Sequence, residues 1–204
     1  MPTSDNDWTY RPRSWLPTFL ATVVVAAGLT FAQAVDGGAR ALVQALPFGL
    51  AGALAGWLVF GKPRVRVSDD GVHVDNPLAS YDVPWAALIL VRTRFACTFV
   101  TPHRAVQAFA APGPGRHAAA MASVVDLRAA GRNPRQGADI GELPSAPSGQ
   151  VAGVVRRRWE TLIESGTLAA GEADETPVTR RFDVRALVAF VVLLALGAAL
   201  QPAL

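Results

Sequence analysis

The order of apolar and polar positions divides the chain into two regimes. From Leu16 to Val35, from Ala41 to Gly61 and from Ala186 to the C-terminus, no residue is charged and apolar types fill most positions. Each run is about 20 residues, or about 30 Å as a helix, which matches the hydrocarbon core of a bilayer. The tight polar segment "DGGAR", Asp36 to Arg40, separates the first two runs and predicts a transmembrane helical hairpin. After Pro63 the period falls to two. "RVRVS" puts Val65 and Val67 on one face and Arg64 and Arg66 on the other, "DDG" (Asp69 to Gly71) predicts a turn, and "VHV" resumes the alternation. "NP" at Asn76 is another break. "SYDVPW" follows as a short strand closed by Pro84, and "ALILVRTR" (Ala87 to Arg94) is apolar enough for a central strand. "CTFVT" (Cys97 to Thr101) and "RAVQAFA" (Arg104 to Ala110) bring the expected total to about six strands. Short antiparallel connections of this kind predict a sandwich or a partly open barrel.

"APGPG", Ala111 to Gly115, punctuates the strands. A helix is then expected over His117 to Ala130, with Ala118, Met121, Val124 and Val125 on one side and Gly131 as the stop. Gly131 to Gly149 reads as an irregular linker. A second helix is expected from Gln150 to Ser165, with Val151, Val155, Trp159 and Leu162 on one face and Arg156, Arg157, Glu160 and Glu164 on others. "GEADETP", Gly171 to Pro177, is an acidic connector to the last apolar run.

Composition strengthens the membrane reading. Apolar types make up 51% and charged types 17% of the 204 residues, too apolar a balance for an ordinary soluble domain. The lone Cys97 has no internal disulfide partner, which fits a reducing, cytoplasm-facing domain. Charge flanks set the orientation. Arg11 and Arg13 precede the first run, Lys62, Arg64 and Arg66 follow the second, and Arg180, Arg181 and Arg185 precede the third. The positive-inside rule then puts the chain from Lys62 to Arg185 in the cytoplasm, with Trp15 and Trp57 as interfacial anchors. The expected organisation is a cytoplasmic tail (1–15), the hairpin (16–61), a β domain with its helix (62–134), a linker with an amphipathic helix (135–185) and a third transmembrane helix (186–204). A rival reading treats "FAQA", Phe31 to Ala34, as a signal-peptidase site, but Asp5 and Asp7 sit poorly in a basic n-region and the hairpin is preferred. "GALAG", Gly52 to Gly56, has the G-x-x-x-G spacing of close helix contacts; packing on the first helix near Gly28 is preferred over dimerisation.

The hairpin, the segment "RVRVSDDGVHV" and then "VPWAAL" together resemble the bacterial PH-like domain membrane proteins, in particular the actinobacterial PH domain-containing group that includes the low-molecular-weight protein antigen 6 family. Asp70, Gly71 and Val72 match that family's turn, and Trp85 with Leu88 matches the entry to its next strand. "AAGRNP", Ala129 to Pro134, resembles the end of its domain. Ala86 and Ala87 stand where members usually carry an acidic residue. The resemblance implies an α+β protein with a PH-like antiparallel split barrel capped by a helix, and it supplies no catalytic residues. "KPRVR" (Lys62, Arg64, Arg66) resembles a pattern with which some PH domains hold phosphoinositide headgroups.

Candidate chemistry is sparse. Asp69, Asp70 and Asp75 with His73 suggest a metal site, yet the first two suit a hairpin turn, and His73 and Asp75 share a face expected to be solvent-exposed. No metal or cofactor is expected. His103 and His117 read as loop residues and Cys97 as a small core residue. "GPGRH" lacks the lysine and the spacing of a phosphate-binding loop. The basic sets are the binding candidates: Lys62, Arg64 and Arg66, and Arg156, Arg157 and Arg158 beside Trp159. Each also has a plainer reading, the first as a juxtamembrane flank and the second as a solvated or lipid-apposed helix face. Interleaved acids argue against nucleic acid. The sequence thus predicts a non-catalytic scaffold or interaction module at the cytoplasmic face of the cell membrane, with a sensor of anionic-lipid headgroups as the first alternative. Its expected partners are the lipid bilayer and anionic lipid, another membrane protein, or a second copy. The enzymatic alternative, acting on lipid headgroups through Asp70, His73 and Asp75, lacks visible paired titrating groups in a pocket.

Overall fold

A computed structural model describes residues 7–113, 146–168 and 172–201. The helix expected over His117 to Ala130, His117 itself, the "AAGRNP" stretch and most of the expected linker lie outside the described residues. The chain divides into two compact units, one of Met1–Pro12, Pro63–Asn76 and Ser80–Arg181, the other of Arg13–Lys62, Pro77–Ala79 and Phe182–Leu204.

The first unit holds the strands. Among the described residues, β1 (Trp8–Tyr10), β2 (Arg64–Val67), β3 (Gly71–Asp75), β4 (Ala79–Pro84) and β8 (Thr179–Phe182) form a five-stranded sheet in the order β1-β2-β3-β4-β8. A three-stranded sheet contains β5 (Leu90–Arg92), β6 (Ala96–Val100) and β7 (Ala105–Pro112) in that order. The valines that alternate along β2, β3 and β4 (Val65, Val67, Val72, Val74 and Val83) are all buried, and they share one cluster with Phe99, Val106 and Ala108 of the smaller sheet. Each such valine or phenylalanine taken from water stabilises the fold by about 1.5–3 kcal/mol. Helix α2 (Pro147–Glu164) completes the core: Val151 and Val155 are fully buried and Trp159 and Leu162 pack against the cluster, the face expected from their spacing. The α+β architecture therefore stands.

Several local expectations change. Ala87 to Arg94 is not a central strand. Trp85–Ala87 winds into a 3-10 turn closed by the Leu88 amide on the Trp85 carbonyl at 3.2 Å, and only Leu90–Arg92 extends, at the edge of the smaller sheet. The cause is Trp85 itself. It turns inward to 4% exposure and donates its indole N–H to the Ser68 carbonyl at 3.1 Å, which bends the chain out of the β4 line. Strands β1 and β8 come from stretches the period-two pattern did not mark. Trp8 and Tyr10 of β1 lie opposite Val67 and Val65, extending the core face, whereas all four residues of β8 are exposed.

The turn between β2 and β3 is as expected from "DDG". The Ser68 amide donates to the Gly71 carbonyl at 3.0 Å. Gly71 has φ of 153°, and a Cβ there would meet the Pro84 Cα at 2.8 Å. Glycine is required by that close approach of β4.

The second unit is helical. Helix α1 (Trp15–Gly56) continues through a π turn, Trp57–Gly61, giving 47 residues whose most apolar 18-residue stretch has a mean hydropathy of 1.8, long and apolar enough to cross a membrane. At Gly38, φ 65° and ψ −157° break the helical path. The two arms on either side of that break lie against each other. A Cβ on Gly52 would sit 3.4 Å from the Ala26 Cβ, one on Gly56 2.7 Å from Thr22 Cγ2, and one on Gly49 would collide with the Thr30 hydroxyl. The glycines thus face Thr22, Ala26 and Thr30 rather than Gly28, which has nothing within 4 Å. Thr22 and Thr30 return their hydroxyls to the backbone carbonyls of Thr18 and Ala26, so neither leaves an unpaired donor on an apolar surface. Helix α3 (Val184–Ala199) begins at Asp183, whose carboxylate accepts the Ala186 amide. At 16 residues it spans about 24 Å, short of the ~30 Å of a hydrocarbon core.

Candidate functional site

Alternation puts one set of side chains on the outer face of the five-stranded sheet, opposite the valines: Arg64 and Arg66 from β2, His73 and Asp75 from β3, Ser80 and Asp82 from β4. Register aligns them in rows, with Asp75 opposite Arg64 on one side and Ser80 on the other, and His73 opposite Arg66 and Asp82. Rows of this kind bring side chains within hydrogen-bonding reach.

The network centres on Asp75. Its Oδ1 lies 3.0 Å from His73 Nε2 and accepts the Ser80 hydroxyl at 2.6 Å. Its Oδ2 accepts Arg64 Nε at 2.7 Å and lies 3.5 Å from Arg66 Nη2. Asp75 is only 6% exposed, so the expectation that its face is open to solvent is corrected: neighbouring side chains cover it on both sides. Burial raises the Asp75 pKa, but hydrogen bonds from His73, Ser80 and Arg64 outweigh it and hold the carboxyl well below the usual carboxylate range. The other ring nitrogen of His73, Nδ1, meets Asp82. The hydrogen bond to Asp75 raises the His73 pKa; desolvation opposes this and the bond to Asp82 adds to it. Arg181 of β8 closes the row on Asp82 Oδ2 at 2.8 Å.

The enzymatic reading required a histidine close to a carboxylate, and the structure does bring His73 to Asp75. The arrangement nonetheless runs against proton transfer. A general base needs an unengaged lone pair, and a ring whose two nitrogens both face carboxylates offers none to a substrate. Asp75, gripped by a histidine, a serine and two arginines, is likewise fully committed. The charged groups of this face are paired with one another. Asp69 pairs instead with Arg158, and among the described residues no group of three or more His, Cys, Asp or Glu is arranged to hold a metal ion. Cys97 is fully buried, and burial pushes its thiol up to about 12, so it stays a neutral thiol in the core. His103 lies in the loop before β7, its Nε2 3.0 Å from the Asp174 carbonyl.

The six basic candidates have separate settings. Arg64 and Arg66 share Asp75 while remaining about two-fifths exposed. Lys62 belongs to the helical unit, where its Nζ pairs with Asp183 at 2.8 Å and donates to the Pro77 carbonyl at 3.2 Å. On α2, Arg156 donates to the Val91 carbonyl at 2.7 Å and ties the helix to β5, Arg158 reaches the β2–β3 turn at Asp69, and Arg157 is exposed. The triple-arginine face is thus divided among three directions. Ser80, Asp82 and Arg181 are members of the Asp75 network that sequence reasoning did not single out. Alternation across "ASYDVP" carries the signal for the first two, but nothing local marks Arg181.

A family model of the bacterial PH domain matches residues 62–133, which begins at Lys62 and takes in the strands from β2 to β7. No curated protein and no solved structure matches the chain.

Proposed function

We propose that the chain is a membrane-anchored, non-catalytic interaction module, in which apolar helices hold a bacterial PH-like β domain at the cytoplasmic face of the cell membrane. The observation that carries this reading is the surface of α1. Val24, Leu29, Phe31 and Val35 are each about two-thirds exposed, and the most apolar window of the helix has none of its residues buried. Monomeric soluble proteins rarely leave so continuous an apolar surface in water, whereas lipid covers it without cost. The broken path at Gly38 supports two crossings by the arms of α1, and the basic flanks Arg11, Arg13, Lys62 and Arg64 support open ends on the inner side. The match to a bacterial PH domain supports an interaction role, as does the internal consumption of the titratable groups around Asp75. Tethering raises local concentration, so weak contacts by the domain suffice for function.

The test is fractionation with a topology reporter. The full chain should stay in the membrane pellet after an alkaline carbonate wash, and a reporter inserted at Ser165 should be active only in the cytoplasm. Recovery in the supernatant, or an external reporter, overturns the anchoring. In-cell cross-linking that finds neither a protein partner nor a lipid contact for the β domain overturns the interaction role.

A further inference from the structure

The two sheets differ in charge. In the five-stranded sheet, Arg64 and Arg66 meet Asp75 and Arg181 meets Asp82. Between Asp82 and Asp126 the sequence contains no Asp or Glu, and the three-stranded sheet lies wholly inside that stretch. Its cations, among them Arg92, Arg94 and Arg104, are offset by no acid of their own sheet. Arg92 and Arg94 sit at the β5–β6 turn, are exposed, and have no carboxylate partner among the described residues.

The same turn displays Phe95, 77% exposed. Thr93, between the two arginines, is 1% exposed, and Ala96 after Phe95 is also buried. Those two inward anchors, with the Gly113 amide donating to the Phe95 carbonyl at 2.8 Å, fix a turn from which Arg92, Arg94 and Phe95 all project outward. The Arg94 guanidinium lies over the Phe95 ring, 5.2 Å from its centroid, so charge and aromatic form one feature. Ile89 and Leu90, at the far end of β5 from the turn, are also exposed.

An aromatic side chain standing in water beside two arginines that no described carboxylate neutralises has the chemistry of a peripheral membrane contact. The ring enters the headgroup–acyl boundary while the guanidiniums pair with lipid phosphates. We propose that the β5–β6 turn, through Arg92, Arg94 and Phe95, is a docking site for an anionic lipid surface. This site is distinct from the basic sets at Lys62–Arg66 and Arg156–Arg158, whose arginines, Arg157 apart, are already engaged within the fold. The inference rests on the anchoring reading only in that a bilayer must be within reach.

The experiment uses the full chain in lipid nanodiscs, carrying Cys97→Ala and Phe95→Cys with an environment-sensitive fluorophore on the new thiol. The discs contain phosphatidylcholine alone or phosphatidylcholine mixed with phosphatidylglycerol. The expected result is a blue-shifted, severalfold brighter emission only with phosphatidylglycerol, reversed by high salt. Each arginine contributes about fivefold to partitioning onto an anionic surface, so Arg92→Ser with Arg94→Ser should abolish the shift. Arg92→Lys with Arg94→Lys should retain it and so show that the turn still folds. Water-like emission in both discs overturns the proposal, as does an equal shift in both, or a shift that appears only on adding soluble bacterial protein. Failure of the chain to co-elute with the discs counts against the anchoring reading instead, which keeps the two outcomes apart.

Discussion

His73 Nε2 lies 3.0 Å from Oδ1 of Asp75, its neighbour two positions along β3, while the opposite ring nitrogen meets Asp82. This contact gives the β domain a pH dependence of definite sign. The raised His73 pKa means that its contribution is fully present below the unfolded value of about 6.5 and is lost as pH rises through the folded one. The depressed Asp75 pKa means the reverse: its contribution is present above about pH 4 and is lost as pH falls through the folded value. Stability should therefore be greatest between about pH 4 and 6.5 and decline on the alkaline side. Denaturant unfolding followed by tryptophan fluorescence in detergent checks this, and His73→Gln should flatten the alkaline limb. A wild-type profile that is level from neutral to alkaline pH would contradict it.

Asp75→Ala removes the common acceptor of Arg64, Arg66, His73 and Ser80. The expected loss is roughly 2–3 kcal/mol, less than for a fully buried pair because both arginines are about two-fifths exposed. Amide exchange in the full chain should quicken along β2, β3 and β4 and hardly change in α1. Uniform exchange across both units would show that the network is not confined to that sheet.

At Gly71 a methyl group would meet the Val83 carbonyl and the Pro84 Cα, both backbone atoms with no rotamer to yield. Gly71→Ala should cost about 1–3 kcal/mol through overpacking, with the loss read as a lower midpoint in the same denaturant assay. Gly153→Ala, at a helical position with room for a Cβ, is the control and should be neutral or slightly stabilising.

Trp85→Phe keeps most of the buried ring but removes the donor to the Ser68 carbonyl. A cost of about 1–3 kcal/mol is expected, with the Ser68 carbonyl left unsatisfied. Trp85→Ala should cost more, about 3–5 kcal/mol, by adding a cavity. Equal losses for the two variants would mean that the indole hydrogen bond contributes nothing.

Within α1, Gly56 leaves no room for a side chain against Thr22. Gly56→Leu should separate the arms and abolish a disulfide engineered between positions 26 and 52 in the Cys97→Ala background. Pairing Gly56→Ala with Thr22→Ala should restore that cross-link, because the second substitution removes the Thr22 Cγ2 that a Cβ at position 56 would meet at 2.7 Å. Restoration is the outcome that separates a steric contact from a general loss of helix.

What the sequence determined by itself were properties carried by period and by charge along a short stretch. Alternation in "RVRVSDDGVHV" specified two strands, their turn and the valine face, because a pleated strand sends successive side chains to opposite sides. Spacing in α2 specified Val151 and Val155 as core residues for the equivalent reason at helical period, and "DGGAR" marked the break in α1. Tertiary structure decided what depends on residues distant in the chain. Trp8–Tyr10 and Thr179–Phe182 become strands only because the edges of β2 and β4 offer unpaired backbone groups; segments of three or four residues carry too little pattern of their own. Asp75 is buried because Arg64 and Ser80 arrive across two strand pairings to join His73 of its own strand, a fact of register that alternation in one strand does not contain. Trp85 bends the chain out of β4 because an acceptor at Ser68, across the β2–β3 turn, is there to receive its indole. Local periodicity assigns a side chain to a face; which face is covered, and by what, depends on pairings between distant segments.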